Sequence, residues 1–195
     1  ANVNKAYVTV DFTPDDNNSI VGSVFGSGES GHVYDSTVIT IEKGLVMGSV
    51  FGGGDGTELY KDYLLDNNDQ PYLTNVRSIT AGKVYGNTKV TVNGGTIQHN
   101  VYGGGNLASV GKGNYSGYGE DGAISDGITN VIVNGGTIGT NGYFAEGETN
   151  VLNGFVYGSS RGVTYPTFTQ PRRYDYTRDF FLGYVNQSNA TIGNA

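Results

Sequence analysis

The side chains best equipped for recognition lie in one segment, TYPTFTQPRRYDYTRDFFLGY. It mixes Tyr165, Phe168, Tyr174, Tyr176, Phe180 and Phe181 with Arg172, Arg173 and Arg178. A tyrosine ring is a broad apolar plate with a polar tip, and exposed Tyr and Arg recur at interface hot spots and on sugar-stacking surfaces. Tyr165, Phe168, Arg172, Arg173, Tyr174, Tyr176 and Arg178 are therefore candidate contacts to a glycan or a protein partner. The same rings can instead fold back over an apolar flank, as aromatic side chains usually do.

Acid–base chemistry and metal binding find less to work with. Glycan cleavage needs two carboxylates held across one bond. Glu58, Asp62, Asp66, Glu120, Asp121 and Asp126 are available, but no spacing joins any pair, so no catalytic residue is assigned. The string GGDGTEL is close to a calcium-binding nonapeptide, yet it carries Glu58 in place of Asp and occurs once, whereas that motif works by tandem stacking. Asp66-Asn67-Asn68-Asp69-Gln70 lacks the sixth-position Gly and distal Glu of an EF-hand. His32 and His99 do not align, and without Cys no zinc ligand set forms. VYGGGN lacks the Lys and helix of a phosphate loop. Neither a metal nor a cofactor is expected, and the acidic stretches read as solvated turns.

Composition narrows the partners. With a formal net charge of −7 and one basic cluster interrupted by Asp175 and Asp179, the chain is a poor match for nucleic acid or an anionic membrane. No apolar run approaches the roughly 20 residues of a membrane span, so no transmembrane segment is expected. The 33 Gly rule out a helical bundle, because each interior Gly costs a helix about 1 kcal/mol relative to Ala. The abundance of Val, Ile, Tyr and Phe argues equally against disorder.

What positions the candidate residues is an internal repeat. Shifted by 51 positions, GHVYDSTVITIEKGLVMGSVFGGG, which begins at Gly31, falls on GKVYGNTKVTVNGGTIQHNVYGGG, which begins at Gly82. TNVIVNGGTI at 129–138 repeats the middle of that text, and Ile20–Gly26 and Phe155–Gly158 repeat its end. Tyr7-Val8-Thr9-Val10 is a worn middle segment. From Phe25 to Phe51 is 26 positions, the length of an uninterrupted unit. Each unit holds three apolar pieces, x-V-Y, V-x-V and x-V-Y/F-G. The middle piece alternates as a half-buried strand does, and Asn-Gly-Gly supplies a sharp corner. Such a unit predicts a right-handed parallel β-helix of about 26-residue, three-strand coils. Its stacking columns would be Ile20, Val46, Ile97, Ile138, then Val24, Val50, Val101, Val156, then Phe25, Phe51, Tyr102, Tyr157. Asn93 and Asn134 would form an amide ladder at one corner.

The strings VFGGG, NVYGGGN and T-x-V-x-V-N-G-G-T-I resemble the Gly-rich repeats of large adhesin-like cell-surface proteins of gut Bacteroidetes, over most of residues 19–160. The resemblance implies a secreted or surface-attached, non-enzymatic solenoid segment of a longer chain, and it brings no site residues with it. A fresh unit opens near Gly183 and stops short, in keeping with such a segment. A single domain over 1–195 is expected, interrupted by insertions at about 55–80, 107–127, 140–154 and 159–182. Three of these leave just after the closing V-Y/F-G piece and so would lie along one edge. Asp35-Ser36-Thr37 has the form of an O-glycosylation motif, and Asn17, Asn114, Asn186 and Asn189 stand in N-x-S/T sequons.

The function expected on these grounds is structural and adhesive, at the cell surface or outside the cell. The insertions would meet a glycan or protein surface. Two alternatives are a carbohydrate-binding or polysaccharide-cleaving β-helix, and a filament subunit that self-associates through open ends.

Overall fold

The computed structural model describes residues 2–14, 18–65, 68–77, 80–112, 127–139, 153–162, 185 and 187–193. Among them the fold is all-β, without a helix. Along the chain run β1 (Val3–Asp11), β2 (Val24–Phe25), β3 (Val33–Lys43), β4 (Leu45–Val46) and β5 (Val50–Phe51). The hairpin strands β6 (Leu59–Leu65) and β7 (Pro71–Arg77) come next, then β8 (Thr88–Val92), β9 (Thr96–Ile97) and β10 (Val101–Tyr102). Last are β11 (Ile128–Val133), β12 (Thr137–Ile138), β13 (Val156–Tyr157) and β14 (Gln187–Ile192).

Apart from the antiparallel β6–β7 pair, these strands form three parallel sheets. The first orders β1-β3-β8-β11-β14, the second β13-β10-β5-β2 and the third β12-β9-β4. The chain visits the three sheets in turn, and each visit pairs with the equivalent text of the previous repeat. Thr37 faces Thr88, Ile39 faces Val90, and Ile41 faces Val92. Val24, Val50, Val101 and Val156 are successive partners, as are Phe25, Phe51, Tyr102 and Tyr157. Ile20, Val46, Ile97 and Ile138 follow one another through the third sheet. All three expected columns are present in register. The worn segment also takes its place, with Val8 against Ile39 and Val10 against Ile41.

Period-2 alternation explains the core. In β8, Thr88, Val90 and Val92 point inward while Lys89 and Thr91 point out. Ile39, Ile41, Val90, Val92 and Val131 of the first sheet meet Val50 and Val101 of the second and Val46 and Ile97 of the third in one cluster. Burying each of these branched side chains contributes on the order of 1.5–3 kcal/mol. A smaller cluster, Val33, Val84 and Val110, closes the remaining corner with Val185 against it.

Two features of the repeated text acquire reasons. The Gly after V-Y/F is demanded by close approach. A Cβ on Gly26 would lie 2.2 Å from the Gly52 oxygen, one on Gly52 2.0 Å from the Gly103 oxygen, and one on Gly103 2.1 Å from the Gly158 oxygen. The buried hydroxyls of Thr37, Thr88 and Thr129 donate to the carbonyls of Gly52, Gly103 and Gly158. At the Asn-Gly-Gly corner the two glycines differ. Gly95 and Gly136 take positive φ, 79° and 92°. A Cβ on Gly94 would instead stand 2.4 Å from the Glu42 oxygen.

The unit holds more paired positions than its three apolar pieces. Glu29, Asp55, Asn106 and Arg161 form a column of bridges, and Val33, Val84, Val110 and Val185 another. The chain thus remains in the stack through Gly111, whose N–H donates to the Val84 carbonyl at 2.8 Å. The text around Val110 hides this role because Ser-Val-Gly replaces the expected x-V-Y. The insertion that carries β6 and β7 departs between the Asp55 and Val84 positions, and residues 163–184 depart between the equivalent Arg161 and Val185. Residues 113–126 depart one bridge later, beyond Val110. Residues 140–152 depart between β12 and β13.

Because Gly52 is pinned by backbone, Gly52→Ala should destabilise the protein by about 3 kcal/mol or more. Gly22→Ala, where an added Cβ meets nothing within 4 Å, should change stability by less than about 0.5 kcal/mol. Urea denaturation of the two variants beside the parent distinguishes these outcomes.

Candidate functional site

The expected contact residues Tyr165, Phe168, Arg172, Arg173, Tyr174, Tyr176 and Arg178 all lie outside the described residues. The stack does show the points from which their segment departs, Arg161 and Val185, each tied into a column of bridges. The DNNDQ stretch, read from sequence as a solvated acidic turn, joins β6 to β7. Its described residues Asn68, Asp69 and Gln70 are exposed.

Several columns of side chains run along the outside of the stack. Phe25, Phe51, Tyr102 and Tyr157 stack ring on ring, with centroids 4.9, 4.8 and 4.8 Å apart and planes within 12° of parallel. Strand spacing sets that distance. At one corner Asn134 donates to Asn93 at 2.8 Å, and Asn93 donates to the Glu42 carboxylate at 3.0 and 3.1 Å. At another, the Ser49 N–H donates to Ser23 Oγ, the Asn100 N–H to Ser49 Oγ and the Phe155 N–H to Asn100 Oδ1. These side chains satisfy corner amides that no strand pairs. In the bridge column, Asn106 donates to Asp55 and Arg161 donates to Asn106, both at 3.3 Å.

The outer face of the first sheet differs because, among the described residues, the side chains of one of its columns neither stack on nor hydrogen-bond to one another. Val38, Lys89 and Asn130 are successive partners in β3, β8 and β11. With Ser36, Asn87 and Ile128 two residues before them, and Thr37 and Thr88 between, they line an open groove of about 230 Å³. Asn87 Oδ1 accepts the Ile128 N–H at 2.9 Å, which fixes that amide. Among the described residues, the Lys89 ammonium, the Asn130 amide and the Ser36 hydroxyl make no side-chain hydrogen bond or ion pair. Two residues upstream of Ser36 and Asn87, the rings of Tyr34 and Tyr85 stack at 5.7 Å, with Tyr34 52% exposed. The Lys83 ammonium sits 4.8 Å from the Tyr85 ring centre, a cation–π contact.

Thr40, Thr91 and Ile132, on the same outer face, follow one another in register and carry no acid. The neighbouring carboxylates are engaged, Asp35 with Lys5 at 3.1 Å and Asp11 with Lys43 at 3.3 Å. The signal that could have revealed the groove is the position between the first two inward residues of T-x-V-x-V, which reads Val38, Lys89, Asn130 across three copies. Thr37 of the glycosylation-like Asp35-Ser36-Thr37 is buried with its hydroxyl committed to Gly52, and only Ser36 of the two hydroxyls faces the groove. No group of three or more His, Asp or Glu side chains gathers among the described residues to hold a metal ion. The chain matches no family model, no curated protein and no solved structure.

The tyrosine columns carry a pH signature. Burial, with Tyr34 beside it, raises Tyr85 above the usual 10.0. Burial likewise raises Tyr102, against the Asn100 hydrogen bond and with Tyr157 adding to the rise. Both phenols therefore ionise later in the folded chain than in the unfolded one. Their contribution to stability is fully present below pH 10.0 and is lost as pH climbs through the folded values. Lys83, which burial lowers from 10.5, acts in the opposite sense. Alkaline denaturation followed by phenolate absorbance should show stability falling above pH 10.0. The double variant Tyr85→Phe, Tyr102→Phe should flatten that fall.

Proposed function

We propose that the chain is a right-handed parallel β-helix that serves as a non-enzymatic, structural and adhesive segment of a secreted or cell-surface protein. The observation that carries this reading is the division of labour along the repeat. Inward Val, Ile and Thr side chains and the Gly after each V-Y/F piece keep the stack in register. Insertions depart only between bridge columns or at a corner, where they leave every ladder intact. Two of them leave from the same place, between the Asp55 and Val84 positions and between the Arg161 and Val185 positions. A third leaves beside Ile128, at the margin of the groove. A rigid stack with variable segments and a polar groove along one side is a presentation surface for a glycan or protein partner.

The resemblance of VFGGG, NVYGGGN and T-x-V-x-V-N-G-G-T-I to repeats of adhesin-like Bacteroidetes surface proteins supports the same reading. So does the net charge of −7, which disfavours nucleic acid. No helix among the described residues is long and apolar enough to cross a membrane.

The test is to present the purified chain to a glycan array and to immobilised mucin and matrix proteins, with a parallel assay for newly released reducing ends. Saturable binding without release is expected. Release of reducing ends with turnover would replace this reading with a polysaccharide-cleaving one, and no binding to any surface would remove the adhesive role.

A further inference from the structure

The geometry points to the groove on the outer face of the first sheet as a binding subsite for a carboxylated sugar residue of a glycan. This inference rests on the adhesive reading for its biological sense, but its physical grounds are separate. Lys89 is the only charged side chain among the described residues of the lining. Asp35, next to Ser36 of the lining, is held by Lys5 at 3.1 Å. An ammonium without a partner in a concave place offers a carboxylate a charge-assisted hydrogen bond, stronger than a neutral one.

The remaining lining supplies what a sugar ring needs. The Asn130 amide presents a donor and an acceptor side by side, free of partners among the described residues. The Ser36 hydroxyl adds one more donor and acceptor. Asn87 is immobilised through its oxygen by the Ile128 N–H at 2.9 Å, leaving its NH2 to donate from a fixed position. Val38 and Ile128 give apolar surface for the C–H face of the ring. The volume, about 230 Å³, falls below the 300–1,000 Å³ of sites that enclose a whole drug-sized ligand. It suits one ring of a longer chain, with its neighbours running over the adjoining strands. A nucleic acid is disfavoured because phosphate tracking requires clustered cations and the groove holds one.

The experiment is calorimetric titration of the full chain with a galacturonic acid oligosaccharide and with a neutral galactose oligosaccharide of equal length. The acidic ligand should bind at least tenfold more tightly, a difference of about 1.4 kcal/mol. Lys89→Gln should abolish that preference, and Asn130→Ala should weaken binding of the acidic ligand at least fivefold. Both variants should melt with the parent, since these side chains make no hydrogen bond or ion pair among the described residues. Equal affinity for the two ligands, or an unchanged preference in Lys89→Gln, overturns the inference. Loss of binding in the triple variant Arg172→Gln, Arg173→Gln, Arg178→Gln, with none in Lys89→Gln, also overturns it while leaving the adhesive reading in place. Absence of binding by either oligosaccharide, alongside positive array signals for other surfaces, separates the two in the same way.

Discussion

The structure depends on how closely each repeat approaches the next. Parallel strands in a sheet stand about 4.8 Å apart, and here that spacing is imposed on turns and corners as well as on strands. At the Gly26, Gly52, Gly103 column, the carbonyl oxygen of one repeat occupies the space a Cβ of the previous repeat would need. The buried Thr hydroxyls of the first sheet then hold those carbonyls. Inward Val and Ile columns supply the driving force, but the backbone contact decides their register. A one-residue slip would expose every inward side chain and at the same time set a side chain against a carbonyl.

That approach also explains why the outer and corner positions are filled as they are. Identical residues brought to one strand spacing must tolerate their own neighbours. Aromatic rings do so by stacking, and Asn does so by donating to the Asn before it. In the bridge column the residue types differ and hydrogen-bond in series, the Asn106 amide linking the Asp55 carboxylate to the Arg161 guanidinium. In the groove, the column Val38, Lys89, Asn130 follows neither of these patterns.

Most of the scaffold was readable from residues. The shift of 51 between copies, the alternation of Val90 and Val92, and the aromatic column each translated directly into pairings. The inward role of Thr37, Thr88 and Thr129 was also within reach, since they share the period of the valines that follow them. The Val110 position was not, because Ser-Val-Gly carries none of the marks of x-V-Y and only the pairing with Val84 reveals it. The hairpin of β6 and β7 was treated as part of an insertion although its strands flank an acidic turn. The groove was hidden for a different reason. Its residues come from three copies and share no type, so repeat analysis, which looks for sameness, passes over them.

The Thr-to-Gly hydrogen bond has a further consequence for how such a chain can change. Thr37 and Gly52 close a loop of 15 positions, as do Thr88 and Gly103. Thr129 and Gly158 close one of 29, because residues 140–152 lie within it. Doubling a loop raises its closure entropy by only about 0.6 kcal/mol, while a single intramolecular hydrogen bond contributes about 0.5–1.5 kcal/mol. The 14 positions added at that corner are therefore offset by roughly one contact. Evolution can lengthen these segments almost freely, while a single methyl group on Gly52 is barred.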